Sequence, residues 1–244
     1  GIFSEKALSL IYEAMPKPSK DDLRRYFLNA DKRLIEQGIT HVASDDFCIF
    51  DIDYKDVIDV LLSLYNEGLM KVKITEQVNL PLRQFKDFIA HGYVNKVLHP
   101  KFKMGPLKIL ADGSLGGRTA AMLKPYNDAP NQRGTLTLTD DELFELIHLA
   151  DQHQMDSVVH AIGDRTSLQI INAMEKSMNI TNRTSHHHAI IHAQLTPKDQ
   201  IYQMKKLGIG AIVQPIFINT DIKILEDRLG DRKNTTYLFH TMYE

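Results

Sequence analysis

Three side chains able to serve a metal lie in three apolar runs. Lys108 sits in Leu107-Lys108-Ile109-Leu110-Ala111, His160 in Val158-Val159-His160-Ala161-Ile162, and His192 in Ile190-Ile191-His192-Ala193-Gln194. Neutral imidazoles are common ligands for zinc-like ions. A lysine ammonium is not, but a lysine carbamylated by carbon dioxide presents a carboxylate able to bridge two metals. Taken singly, a buried strand histidine is more often a satisfied core residue than a ligand, and a buried lysine can simply pair with Asp112 or Asp164. Three such residues on separate runs, each followed by a polar loop, favour a shared site.

The elements that must position them are strands, because each run is short and apolar and ends in polar residues. On a strand alternate residues share a face. Lys108, Leu110 and Asp112 therefore point one way, as do Val158, His160, Ile162 and Asp164, and His188, Ile190, His192 and Gln194. If those faces line one interior, Lys108, His160 and His192 converge near one mouth.

Further strands are expected at Ile39 to Val42, Met70 to Val78 and Ile209 to Gln214. Amphipathic helices intervene. Examples are Asp53 to Tyr65 and the helix opened by the capping box Thr139-Asp140-Asp141-Glu142. A segment from Gly113 to Leu138 reads as one long polar loop, and Asp221 to Leu229 as a weak helix. Six nearly continuous apolar strands separated by helices predict an α/β fold with a parallel sheet. No glycine-rich phosphate turn follows any strand, which disfavours a dinucleotide fold, whereas polar groups at several strand ends favour a (β/α)8 barrel. A closed barrel needs eight strands, so the expectation is an incomplete TIM-barrel type occupying residues 1–244 as one domain.

Composition excludes other classes. The net charge of -2 gives no polyanion-binding surface, so no nucleic-acid partner is expected, and no apolar run is long enough to span a bilayer. A single cysteine, Cys48, fits a reducing compartment and a cytoplasmic location. The opening Gly1-Ile2-Phe3-Ser4 has neither an initiator Met nor a signal-peptide pattern, so the chain is expected to be an internal piece of a longer protein.

The order of motifs resembles the amidohydrolase superfamily, specifically YtcJ-like metal-dependent hydrolases, which include N-substituted formamide deformylases. The matching residues are Leu107 to Gly116 with Arg118-Thr119-Ala120, then His160-Ala161-Ile162-Gly163-Asp164, His192-Ala193-Gln194, Gln214-Pro215 and Arg228-Leu229-Gly230. The resemblance implies a (β/α)8 barrel of which strands two to seven are present. It also implies one or two divalent metal ions, often zinc, with Lys108 as the carbamylated ligand and His160 and His192 as ligands.

For the parent protein the implied reaction is hydrolysis of a carbon–nitrogen, amide-like, non-peptide bond of a small molecule through a metal-activated water. Asp112, Ser114 and Arg118 are candidate substrate-binding residues. The alternative for them is structural: Asp112 and Ser114 satisfying loop backbone, Arg118 pairing with a carboxylate. Asp164, Gln194 and His188 are expected to orient the histidines. The family's strand-one His-x-His pair and strand-eight catalytic Asp have no counterpart here, so this piece alone is expected to be inactive and to hold no metal. Its open sheet edges are expected to drive self-association. Competing readings are a non-catalytic binding barrel, and a deaminase or cyclic amidase on the same scaffold.

Overall fold

The computed structural model describes residues 9–12, 14–48 and 52–244, so the four residues read for a leader lie outside the described residues. The chain forms two compact units, residues 1–108 and 109–244.

In the first unit, α1 (Ser9–Tyr12) and α2 (Lys20–Glu36) precede β1 (His41–Ser44), α3 (Tyr54–Asn66) and β2 (Lys73–Val78). Then come α4 (Leu82–Ala90), β3 (Val97–His99) and β4 (Phe102–Leu110). Helix α2 starts at a capping box, where Ser19 Oγ accepts the Asp22 N–H and the Asp22 carboxylate accepts the Ser19 N–H. Its buried Asp31 accepts the Lys71 and Val72 N–H groups at 2.9 and 2.8 Å, tying the helix to the approach to β2. The apolar stripe of α3, including Val57, Ile58, Leu61 and Leu64, is buried, as are Phe85, Phe88, Phe102 and Leu107.

Strands β1, β2 and β4 are parallel neighbours in that order, and β3 pairs antiparallel with β4. The predicted strand at Leu107 starts earlier than expected. Gly105 and Pro106 lie before the expected run, yet they sit inside β4, where the pairing shifts between Glu76↔Met104 and Val78↔Leu107. The resulting bulge needs no ladder N–H from the proline. A side chain at Gly105 would meet Thr75 Cγ2 at 2.7 Å, so close approach of β2 requires glycine there.

In the second unit, α5 (Asp140–Gln152), β5 (Ser157–Ala161), α6 (Asp164–Thr181), β6 (Ala189–His192), α7 (Lys198–Leu207) and β7 (Gly210–Ile212) alternate. Strands β5, β6 and β7 are parallel in that order. Helix α5 begins at the expected capping box of Thr139 and Glu142. It packs on α6 through a face that buries Leu143, Leu146, Ile147 and Ala150 on one side and Ile170, Ile171 and Met174 on the other.

The 113–138 segment is less open than a polar loop suggests. Leu115, Ala120, Met122 and Tyr126 form a small core with Ile162, Leu195 and Leu229. The single weak helix expected at the end is instead α8 (Ile218–Asp221) and α9 (Leu225–Leu229), interrupted between them and closed by Gly230 at φ +54°. A 3-10 turn and α10 (Phe239–Tyr243) follow.

Candidate metal centre

Parallel pairing of β5 and β6 sets Ala161 opposite His192 and His160 opposite Ile191, so both histidines fall at the strands' C-terminal ends. Their rings lie 4.6 Å apart, edge to face. His160 Nε2 faces two oxygens, the Gly113 carbonyl at 3.0 Å and Asp112 Oδ1 at 3.2 Å. Only a protonated nitrogen is stable against two acceptors, so the hydrogen-bond network assigns the lone pair to Nδ1.

His192 is locked in the opposite tautomer. Its Nδ1 contacts Gln214 Oε1 at 2.5 Å, and Gln214 Nε2 donates to the Ile212 carbonyl at 3.2 Å, which fixes the amide's orientation. His192 Nδ1–H is therefore the donor and Nε2 carries the lone pair. Phe217 stacks on the ring with centroids 5.6 Å apart and planes at 23°. Each imidazole thus has one N–H held by an oxygen and one nitrogen able to donate electrons, the arrangement in which histidines hold metals.

The His192 backbone is unusual. His192 and Ala193 have φ of +72° and +46°, in the left-handed region that costs a non-glycine residue about 1–3 kcal/mol. This turn ends β6 at His192, so the face expected to continue to Gln194 does not. Gln194 Nε2 instead donates to Asp221 Oδ2 at 2.8 Å, and Tyr237 Oη donates to the same oxygen at 2.6 Å.

Asp112 organises the His160 side. Its carboxylate accepts the N–H groups of Ala121, Ile162 and Gly163 and the Thr166 hydroxyl at 2.8–3.0 Å. The side chain is fully buried, so it presents no surface to a substrate; it gathers the 113–138 segment, the β5–α6 turn and His160 into one arrangement. A Cβ at Gly163 would sit 1.9 Å from the Ala121 carbonyl oxygen, so only glycine fits that crossing.

Ser114 Oγ accepts the Gly117 N–H at 3.2 Å, and Arg118 makes a two-bond pair with Asp128 at 3.0 and 2.8 Å. Both side chains are engaged locally, in the manner of the structural alternative. Asp164 opens α6 and accepts the Leu123 N–H at 2.8 Å, because the strand ends before it can share the His160 face. Burial raises its pKa, and the backbone N–H of Leu123 opposes that shift.

His188 lies at the opposite end of the strands from His192. Its Nδ1 accepts the Ser157 N–H at 3.0 Å, and its Nε2 lies 3.0 Å from Asp151, which also pairs with Arg183. It anchors the start of β5 to the start of β6 and orients neither His160 nor His192. The groups that do so are Asp112, the Gly113 carbonyl and Gln214. Of these, Asp112 stood out in the sequence as a candidate for substrate binding or for satisfying loop backbone, and Gln214-Pro215 as a motif without a role.

In the first unit Lys108 is buried, and that burial lowers its pKa against the opposing charges of Asp45 and Cys48. In the same unit the half-buried Asp46 and the buried Glu76 lie together, and Glu76 Oε1 accepts the Asp46 N–H at 2.7 Å. Burial raises both pKa values, that of Glu76 well above the ordinary range. Among the described residues no three His, Cys, Asp or Glu side chains come together as a ready ligand set. The donor set of the second unit is thus the two imidazole nitrogens, which suit a borderline-soft divalent ion.

The Amidohydrolase family profile matches residues 1–242, essentially the whole chain. The chain belongs to the amidohydrolase family. This amidohydrolase chain is 31% identical to the YtcJ protein of Bacillus subtilis (strain 168), an alignment covering 99% of the chain and 44% of YtcJ. It is 24% identical to Protein LONG AFTER FAR-RED 3 of Arabidopsis thaliana over 99% of the chain and 42% of that protein. Crystal structures described as uncharacterized metal-dependent hydrolases from Pyrococcus horikoshii OT3 and Pyrococcus furiosus superpose with TM-scores of 0.81 and 0.80 at 26% identity. Each match covers 97% of the chain but 45% and 47% of those proteins. The amidohydrolase chain therefore spans less than half the length of these relatives. Its six parallel strands with helices between them are part of an α/β barrel-type fold.

Proposed function

We propose that the protein carrying this chain is a metal-dependent hydrolase that cleaves a carbon–nitrogen bond of a small amide-like, non-peptide substrate. The observation that carries this reading is the pair of imidazoles, 4.6 Å apart, each locked by an oxygen acceptor in the tautomer that leaves one ring nitrogen as a donor of electrons. Family membership supports the hydrolase class, and the relatives described as metal-dependent support a divalent ion. His160 Nδ1 and His192 Nε2 would hold that ion, with zinc favoured by the imidazole donors.

When bound, such an ion supplies Lewis acidity toward water and toward a carbonyl. The chain's own residues prepare for this in two ways. The Asp112 carboxylate and the Gly113 carbonyl hold the His160 N–H, which fixes the ring's tautomer and orientation. Gln214 does the same for His192, while Phe217 excludes water from one ring face.

For Lys108 the proposal keeps the carbamylated-ligand role that the resemblance implies. The support is burial that lowers its pKa, since the neutral amine is the form that adds to carbon dioxide, forming a nitrogen–carbon bond and releasing a proton. The test is a screen of the purified full-length protein, loaded with zinc, against formamides, acetamides and cyclic amides, followed by amine release. Hydrolysis of at least one class, abolished in His192→Asn, is expected. Absence of turnover on every class, with metal bound, would overturn the reading.

A further inference from the structure

The turn after β7 does two things to His192 at once. Gln214 bonds the ring in its plane, and three residues later Phe217 covers one face. This 3-10 turn, Pro215–Phe217, is therefore fixed to the candidate metal centre and is no loose excursion. Its surface is apolar to an unusual degree. Phe217 remains 39% exposed while packed on His192, and Ile216, Ile218 and Ile222 are 68%, 38% and 63% exposed. Residues 209–220 contain no charged side chain at all.

Exposed large apolar groups clustered beside a polar centre mark a ligand-contacting surface. The first charge beyond the run, Asp221, is already bonded by Gln194 and Tyr237, so a cationic substituent on this side finds no unengaged carboxylate there. On the His160 side the Asp112 carboxylate is fully buried and saturated with donors. The chemistry on offer next to His192 is an aromatic face flanked by branched aliphatics.

We propose that Phe217 is a specificity-determining residue whose ring, carried against His192 by the Gln214–Phe217 turn, receives an uncharged aryl or branched-alkyl substituent of the substrate. This rests on the hydrolase reading above. Offset stacking of an aryl group on Phe217, together with the apolar area it covers, sets the expected preference at roughly a hundredfold over a methyl substituent.

The experiment uses the purified full-length protein with N-(2-phenylethyl)acetamide, N-methylacetamide and N-(2-ammonioethyl)acetamide. A parallel measurement follows binding of the neutral 2-phenylethanol by saturation-transfer NMR. In the wild type kcat/KM should rank phenylethyl first and ammonioethyl last. Phe217→Ala should cut the phenylethyl-to-methyl ratio about tenfold, chiefly through KM, with bound metal unchanged, and Phe217→Leu should retain part of the preference.

An unchanged ratio in Phe217→Ala, or a preference for the ammonioethyl compound, overturns the assignment. If no acetamide is cleaved, the hydrolase reading fails on its own account and the NMR arm decides: binding of 2-phenylethanol lost in Phe217→Ala upholds the role of Phe217. Absence of binding to the wild type, or binding unaffected by the substitution, refutes it.

Discussion

Asp112→Asn preserves size and removes one acceptor. In the native chain Oδ2 accepts from Ala121 N–H, Gly163 N–H and Thr166 Oγ–H, while Oδ1 accepts from Ile162 N–H and faces His160 Nε2. The asparagine oxygen must take the Oδ2 place, where three donors converge. Its NH2 then meets the Ile162 N–H, leaving that buried donor unmet at about 1–3 kcal/mol, and the remaining bonds lose the charge that made them strong. The sum is about 3 kcal/mol. With a urea m-value of about 3 kcal/mol/M, this corresponds to a midpoint about 1 M lower.

Asp112→Ala, which abandons the Ala121, Ile162, Gly163 and Thr166 donors and the His160 N–H, should cost more, about 5 kcal/mol. Urea titration followed by far-ultraviolet circular dichroism reads both variants. The NH2 group also confronts the His160 Nε2–H, so imidazole 15N shifts should report a change of tautomer. A midpoint for Asp112→Asn equal to that of the wild type, with His160 shifts unmoved, would refute the role assigned to this carboxylate.

Other consequences follow from the same geometry. Glu76 has a raised folded-state pKa, so the stability attached to its protonated form is fully present below the unfolded value near pH 4 and is lost as pH rises through the folded value. Glu76→Gln should match the wild type at pH 4 and exceed it in urea midpoint at pH 8; a difference that stays constant or reverses sign would contradict this. Gln214→Ala should weaken zinc binding about 10–100-fold by calorimetry, since it releases the His192 tautomer, and unaltered affinity would count against that lock. Within their units β1 pairs only with β2 and β7 only with β6 among the described residues, so the 244-residue chain should self-associate. A strictly monomeric sedimentation profile at high concentration would oppose that.

Much of the scaffold was legible because it is written locally. The capping box at Thr139 and the apolar stripes of α3 and α5 each follow from residues within a few positions. The three-residue β3, with Val97 exposed, carries no alternating pattern to read. Gly105 and Pro106 fell outside the expected run because their place in β4 depends on the bulge against β2.

The same contrast governs the site. His160 and His192 were legible as residue types at strand ends, whereas the donors to Asp112 lie 9, 50, 51 and 54 residues along the chain. The place of Gln194 could not be read because alternation alone does not reveal that His192 and Ala193 turn into the left-handed region, and that of His188 because its partners Ser157 and Asp151 lie more than 30 residues away. Gln214 was visible as a motif and became a partner of His192 only once β6 and β7 were paired.

The most direct measurement is metal binding by the two imidazoles. The full-length protein, its His160→Asn and His192→Asn variants and the double variant would be dialysed against trace zinc and assayed by inductively coupled plasma mass spectrometry. The wild type should retain a divalent ion that each single variant binds at least tenfold more weakly and the double variant loses. Undiminished metal in the double variant would contradict the assignment of these histidines as the metal centre.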